Sequence, residues 1–425
     1  MPDPTAGVPG AEPWGPEGLP LEEARTQILA GLQPLGLQEE LPLTGAMGRT
    51  CAEPVRAAAA VPGFRASILD GYAIAGSEVP TVGSQWRVVG RSVAGLPHGG
   101  TLKTGEAVRI LTGSVVPEGS GRVLAQELVQ VRQEEGAEPL IELLQPCGAN
   151  PWIRQPDEEA GPGEVLVPAG RRLGVAELGR LASCGVQQLC VTARPRIGLL
   201  ISGDELLPAG APRGPGQIWE SNSALLTALL GRLGYTVREQ RVVGDQPEPL
   251  RAALLELAEY CDVVVSTGGV SAGDSDWIRP LVAELGEVRF WKLFLRPGRP
   301  FAWGQVAGVP FFGLPGNPVA AAVTALQLLW PALQRLEGAE LQLLPRLRVR
   351  LEAPLKRGSG RPELARAQLA VAADGALLAR VEGSQASSRI GSLQGADLLL
   401  EIPAELGALE AGTELWAQLL RLAIL

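Results

Sequence analysis

Residues 263–276 read Val-Val-Val-Ser-Thr-Gly-Gly-Val-Ser-Ala-Gly-Asp-Ser-Asp, a buried-strand pattern running into a glycine-rich loop that carries two carboxylates. Some forty residues later Gly313-Leu314-Pro315-Gly316-Asn317-Pro318 forms a second such turn, followed by an apolar helical stretch. Exposed backbone N–H groups of a glycine-rich loop and of a helix N-terminus attract anions. Carboxylates beside them suggest a divalent cation bridging to those anions. Either turn alone is ordinary turn chemistry. Spaced as one α/β unit, the two predict a phosphate- or oxyanion-binding crevice.

Further carboxylates fall at matching places. Glu205 follows the apolar run ending at Ile201, Asp245 follows Val242-Val243-Gly244, and Asp276 closes the glycine-rich loop. Ligands of open α/β sheets sit at the carboxyl ends of the strands. A set of this kind could hold Mg²⁺, which prefers a few carboxylates plus substrate oxygens and water. Lys292 and Arg296 are four residues apart and would share one face of a strand, with Arg299 after a Pro-Gly turn. Glu220-Ser221-Asn222 reads as a helix N-cap, and Asn317 with Pro318 as an N-cap followed by a first-turn proline. Taken by themselves, Asp70 in Ser67–Ala73 and Thr112 after Ile110-Leu111 read as turn residues.

Positioning these residues requires an alternating scaffold, and Arg196 to Leu336 supplies one. Strands are predicted at Ile197–Ile201, Thr236–Val243, Val263–Ser266, Val288–Leu295 and Val309–Gly313. Helices are predicted at Ser221–Leu233, Glu248–Tyr260, Trp277–Leu285 and Pro318–Leu336. That order indicates a doubly wound, mostly parallel α/β domain. The 425 residues exceed what one core serves. We divide them into a leader (1–18), a discontinuous N-terminal and connecting domain (19–54 and 148–195), a β-rich domain inserted in it (55–147), the α/β domain (196–340) and a small C-terminal β domain (341–425).

Composition narrows the function classes. Hydrophobic residues at 46% and charged residues at 20% describe a globular chain, and a net charge of −9 disfavours nucleic acid and anionic membranes as partners. No apolar run is expected to span a bilayer. The leader is rich in Pro and Gly, reads as disordered and carries no basic residue, unlike a secretory signal. Five cysteines without Cys-x-x-Cys spacing read as reduced and cytoplasmic, and the one histidine, His98, reads as a loop residue.

In their order, these motifs resemble the molybdopterin molybdenumtransferase family, whose eukaryotic relatives are the E domains of gephyrin and of the plant cofactor-synthesis protein. The likeness runs from about Leu21 to the C-terminus. It rests on Pro62-Gly63-Phe64, Asp70-Gly71-Tyr72-Ala73, Arg109–Gly113, Gly203-Asp204-Glu205-Leu206, Gly268–Ser271, Phe290-Trp291-Lys292 and Gly313–Pro318. The resemblance implies four domains, adenylylated molybdopterin and molybdate as substrates, Mg²⁺, and release of AMP with formation of molybdenum cofactor. It implies Asp70, Glu205, Asp245 and Asp276 as catalytic carboxylates, the last three at the metal. It further implies Thr112, Asp157, Gly268, Gly269, Ser271, Lys292, Arg296, Pro315, Gly316, Asn317 and Ser387 as substrate-binding residues. A homodimer whose active sites are shared between chains is implied too. So are a molybdopterin adenylyltransferase and molybdoenzyme-maturation proteins as partners.

Several positions depart from the family pattern. Ser-Ala-Met-Asp is here Ser67-Ile68-Leu69-Asp70, and Lys-Pro-Gly-Lys-Pro is Arg296-Pro297-Gly298-Arg299-Pro300, a planar fork in place of a point charge. Gly-Glu-Asp becomes Gln155-Pro156-Asp157, and Gly-Ser-His becomes Ala386-Ser387-Ser388. Two other readings use the same α/β module: the pathway's adenylyltransferase and a nicotinamide-nucleotide amidase. Both lack an Asp-Gly-Tyr-Ala β domain ahead of that module. A noncatalytic scaffold is a third reading, disfavoured because no long Ser/Pro-rich linker or second fused module is present.

Overall fold

The computed structural model describes residues 18–133, 138–270, 276–381 and 383–420. All but the last residue of the expected leader lies outside them, as does Ser271. The α/β domain is built from β1 (Ile197–Ser202), α1 (Asn222–Arg232), β2 (Val237–Val243), α2 (Pro247–Tyr260), β3 (Val263–Thr267), α3 (Ile278–Leu285), β4 (Gly286–Lys292), β5 (Pro300–Val306), β6 (Val309–Leu314) and the continuous helix α4 (Pro318–Glu337). The sheet order is β2-β1-β3-β6-β5-β4. The first four strands are parallel, β5 runs antiparallel to them, and the edge strand β4, antiparallel to β5, runs with the first four.

Alternation of side chains along the central strands explains the double winding. Ile197, Leu199, Ile201, Val263, Val265 and Phe312 pack on one face with α1 and α4, while Leu200, Val264 and Phe311 pack on the other with α2 and α3. Buried on both faces, such strands read as continuous apolar runs. Strand β5 was not expected from the sequence, because it begins at a proline and reads as part of a turn-rich stretch. Its hairpin to β6 turns on Ala307 and Gly308, both at positive φ.

Helix α4 corrects one expectation. Its 20 residues, with mean hydropathy 1.2, are long and apolar enough to cross a bilayer, yet 89% of the tested stretch is buried as the central core helix. Pro331 lacks an N–H and crowds the carbonyl four residues back, which belongs to Gln327. The helix widens to a π-turn over Ala325–Leu329, and Arg25 of the N-terminal helix Leu21–Ala30 donates to the Gln327 carbonyl at 3.1 Å. A buried arginine thus satisfies the carbonyl opposite the proline.

The β-rich domain is a six-stranded sheet in the order Ser120–Ala125, Gly71–Ala75, Glu106–Ile110, Gln85–Ser92, Leu140–Leu143, Val129–Arg132. Val55–Arg56, assigned to it from sequence, pairs instead with Val165–Val167 of the connecting segment. The C-terminal domain is a closed five-stranded barrel. Two of its strands, Glu363–Val371 and Leu377–Arg380, were not anticipated. The first buries Glu363 and Arg366, so it lacks the apolar signature of a core strand.

A buried carboxylate joins the N-terminal and α/β domains. Glu337, at the end of α4, accepts hydrogen bonds from Thr50 Oγ1 at 2.9 Å and from Arg172 Nη2 and Tyr235 OH at 2.7 Å each. Its side chain has no exposed surface.

Candidate functional site

The carboxyl ends of β1, β2, β3 and β6 open into one cleft of about 770 Å³. It lies where the chain order of the strands reverses, the place open α/β sheets reserve for ligands. Of the expected residues, Glu205, Asp245, Gly268, Gly269, Asp276, Pro315, Gly316, Asn317 and Ser387 line it together. The two turns meet there. Gly268 has φ +90°, and a Cβ on it would come within 2.4 Å of the Ser202 carbonyl oxygen, so only glycine fits. A Cβ on Gly316 would lie 3.6 Å from the Gly268 Cα.

Asn222 holds this junction. Its amide donates to Thr267 Oγ1 at 3.2 Å and to the Gly316 carbonyl at 2.8 Å, tying the end of β3 to the second turn. The cap reading of Glu220-Ser221-Asn222 holds for position, with Ser221 at the N-cap, and differs in which side chains make the bonds. Ser221 makes no side-chain cap bond; the Glu220 carboxylate accepts the Ser223 N–H at 2.8 Å, and Asn222 faces the cleft. The signal was present in the residue type: a buried amide at the start of a helix needs polar partners somewhere.

The acidic wall is graded. Asp204 Oδ1 accepts the Asp245 N–H at 2.9 Å, fixing the loop after β2. Burial, and then the neighbouring Asp204 and Glu205 charges, push the Asp245 carboxyl above its usual range, against the hydrogen bond from the backbone. Among the described residues, no three His, Cys, Asp or Glu side chains are gathered closely enough to hold a metal ion by themselves. The expected triad Glu205, Asp245 and Asp276 thus shares a wall without forming a closed cage.

Asn317 takes the N-cap position of α4 with Pro318 next, as expected, but makes no side-chain cap bond. Its amide instead donates to Ser387 Oγ at 3.1 Å, and the Ser387 carbonyl accepts the Val319 N–H at 3.1 Å. The C-terminal barrel therefore supplies part of the cleft wall and covers the helix start. Arg366 supports that loop, donating to the Ala386 carbonyl at 3.3 Å while its own backbone is held by Gln385. Asn317→Ala should accordingly cost only about 1 kcal/mol or less, one exposed hydrogen bond. Asn317→Asp exchanges the donated bond for an acceptor to which the Ser387 hydroxyl can turn, but places negative charge on the cleft, so binding of an anion such as inorganic pyrophosphate should weaken more than in the alanine variant. Calorimetric titration and urea denaturation of both variants check this; equal losses of binding would make the turn purely structural.

Other expected residues lie elsewhere in the protomer. Asp70 Oδ1 accepts both the N–H and the hydroxyl of Thr112 at 2.7 Å, which holds its carboxyl below the usual range. This pair belongs to the β-rich domain and is not part of the cleft. Asp157 is exposed in the connecting segment, next to Pro156, whose carbonyl accepts the Gly63 N–H. Lys292 and Arg296 do not share a strand face: β4 ends at Lys292, whose ammonium lies 4.1 Å from the Trp291 ring centroid. The segment beyond bends to pair with the barrel, with the Arg296 N–H donating to the Pro362 carbonyl at 2.9 Å.

Arg296 instead enters a second cavity of about 350 Å³, with Arg299, Arg357 and Arg361. Glu363, itself buried, pairs with Arg357 at 3.1 Å and stands 3.9 Å from Arg296. Burial, together with repulsion from Arg299 and Arg296, lowers the affinity of Arg361 for its proton. Gly298 and Pro300 of the same turn line the acidic cleft, so one short segment separates the two chambers. Arg357 and Arg361 were not picked out from the sequence, lying in a Gly/Ser/Pro stretch that reads as loop.

Comparison with known proteins matches this architecture piece by piece. The family model of the MoeA N-terminal region (domain I and II) matches residues 19–185. That of the "probable molybdopterin binding domain" matches 198–335, and that of the MoeA C-terminal region (domain IV) matches 348–420. The chain is 32% identical over 395 residues to the molybdopterin molybdenumtransferase of Haemophilus influenzae, covering 93% of this chain and 96% of that one. The chain belongs to the molybdopterin molybdenumtransferase family. Members of this family are transferases of molybdenum cofactor biosynthesis. Gephyrin of Dictyostelium discoideum is 28% identical over 446 residues, and this chain covers 61% of its length. The crystal structure of the molybdopterin biosynthesis MoeA protein from Pyrococcus horikoshii superposes with a TM-score of 0.78 at 26% identity, covering 94% of this chain and 99% of that one.

Proposed function

We propose that the cleft binds adenylylated molybdopterin and that the chain inserts molybdenum from molybdate into it, hydrolysing the pyrophosphate link and releasing AMP. The observation that carries this reading is the convergence of the Gly268 and Gly316 turns with Glu205, Asp245 and Asp276 in one cleft, in a chain of this family. Backbone N–H groups suit the phosphates, while the carboxylates suit a cation shared with them. The carboxylates form no closed cage among the described residues, so a Mg²⁺ ion there would take waters and substrate phosphate oxygens as its remaining ligands. Glu205, Asp245 and Asp276 would hold it, and it would neutralise charge on the pyrophosphate. The protein's own part is to orient the pyrophosphate on the two glycine turns. The arginine cavity behind the Arg296–Pro300 turn suits molybdate, a small oxyanion that planar guanidinium forks can grip.

Asp70, Thr112 and Asp157 line no part of their own chain's cleft. We read them as completing the cleft of a second copy, which makes the working unit a homodimer with shared sites. The five cysteines, all free, favour a cytoplasmic location. A molybdopterin adenylyltransferase would supply the substrate, and molybdoenzyme-maturation proteins would receive the product.

The test is AMP release from adenylylated molybdopterin, measured with and without molybdate and Mg²⁺. Release that depends on both supports the reading; no release under any combination overturns it. Co-refolding Asp70→Ala with Asp276→Ala probes the shared site. Random pairing makes about half the dimers mixed, each with one intact site, so roughly a quarter of wild-type activity should return. Mixed dimers that remain inactive would place each site within one chain.

A further inference from the structure

Three large apolar side chains are left open in the wall of the acidic cleft. Ile218 and Trp219, from the loop after β1, are 49% and 46% exposed, and Ile390 of the C-terminal domain is 41% exposed. Phosphates and a cation have no use for such surface, whereas a flat ring gains from covering it. Trp219 is also held in place. Its backbone pairs with Leu207, its indole N–H donates to the Ala211 carbonyl at 2.8 Å, and the Arg213 guanidinium lies over the ring, 4.1 Å from its centroid. With the polar edge satisfied and the ring fixed in rotation, what remains for a ligand is π surface. Pre-fixed aromatic surface stacks at low entropic cost.

We propose that Trp219, backed by Arg213 and lining the same cleft as Ile218 and Ile390, is the stacking platform for a planar heteroaromatic ring of the substrate. The assignment rests on the function proposed above and deepens it, naming the residue that recognises the ring rather than the pyrophosphate. Adenine and pterin present the same chemistry to such a platform, and the experiment separates them.

Full-length wild type, Trp219→Ala and Trp219→Phe are titrated calorimetrically with AMP, ribose 5-phosphate and 6-hydroxymethylpterin. Stacking on an aromatic side chain contributes enough that its removal should weaken one ring-bearing probe about tenfold. Trp219→Phe should recover most of that loss, and ribose 5-phosphate should bind all three proteins alike. Loss confined to AMP assigns the adenine; loss confined to the pterin assigns the pterin. If wild type binds AMP or the pterin and Trp219→Ala binds it equally well, the platform is overturned and the proposed function stands. A loss of equal size for ribose 5-phosphate also overturns the platform, because the substitution would then have distorted the cleft. Wild type that binds neither ring overturns the platform and the proposed function together.

Discussion

Asp245→Ala and Asp276→Ala are expected to lower AMP release by about a hundredfold or more, the scale on which removal of one group that stabilises transition-state charge is felt. The fold should survive. Asp245 has its carboxyl raised by burial and by Asp204 and Glu205, so its ionised form is disfavoured in the folded state. The sign follows directly: a raised carboxyl in the native state destabilises it progressively as pH climbs through that value. Above it, Asp245→Asn should hold or raise stability, and the advantage should vanish in acid. Turnover assays at saturating Mg²⁺, paired with denaturation at two pH values, test both halves. Near wild-type turnover in either alanine variant would remove these carboxylates from the mechanism.

The second large effect is expected far from the cleft. Glu337→Ala leaves Arg172 without its carboxylate and strips Thr50 and Tyr235 of their acceptor. Breaking a buried pair by removing one partner costs about 3–5 kcal/mol. Glu337→Gln keeps an oxygen acceptor and loses the charge, so it should cost less, about 1–3 kcal/mol. Urea denaturation followed by tryptophan fluorescence distinguishes the two. Because the carboxylate bridges two domains, the loss should appear first as a separate early transition, a departure from two-state behaviour. A single transition with both variants within 1 kcal/mol of wild type would show that the network contributes little.

Much of this arrangement was legible in the sequence. The buried strands declare themselves because a strand covered on both faces, such as Val263–Thr267, opens on an unbroken apolar run, Val263–Val265. The glycine turns were visible because positive φ and close approach restrict residue choice, as at Gly268. What stayed hidden was polar burial. Strand Glu363–Val371 contains a buried glutamate and arginine whose partners, Arg357 before the strand and Ser392 after it, lie on other segments, and alternation along the strand itself cannot reveal them. The same limit explains Asn222 and Asn317, both assigned to helix starts by local rules. Each spends its amide on another element of the cleft instead. Lys292 and Arg296 failed for a different reason: their spacing has meaning only on a continuous strand, and the chain leaves the sheet between them.

The Ser387 segment has a bearing on which changes in chain length this molecule can absorb. Surface loops ordinarily accept an added or missing residue with little harm. Between Gln385 and Ser388, however, the main chain and side chains are pinned at once to Arg366 within the barrel and to Asn317 and Val319 across the domain boundary. A single inserted residue would break registry with one side or the other, and with it one wall of the cleft. Sequence length should therefore be free to drift at the Asp374–Gly375 hairpin of the same domain, an exposed turn closed by its own hydrogen bonds, and frozen in this stretch.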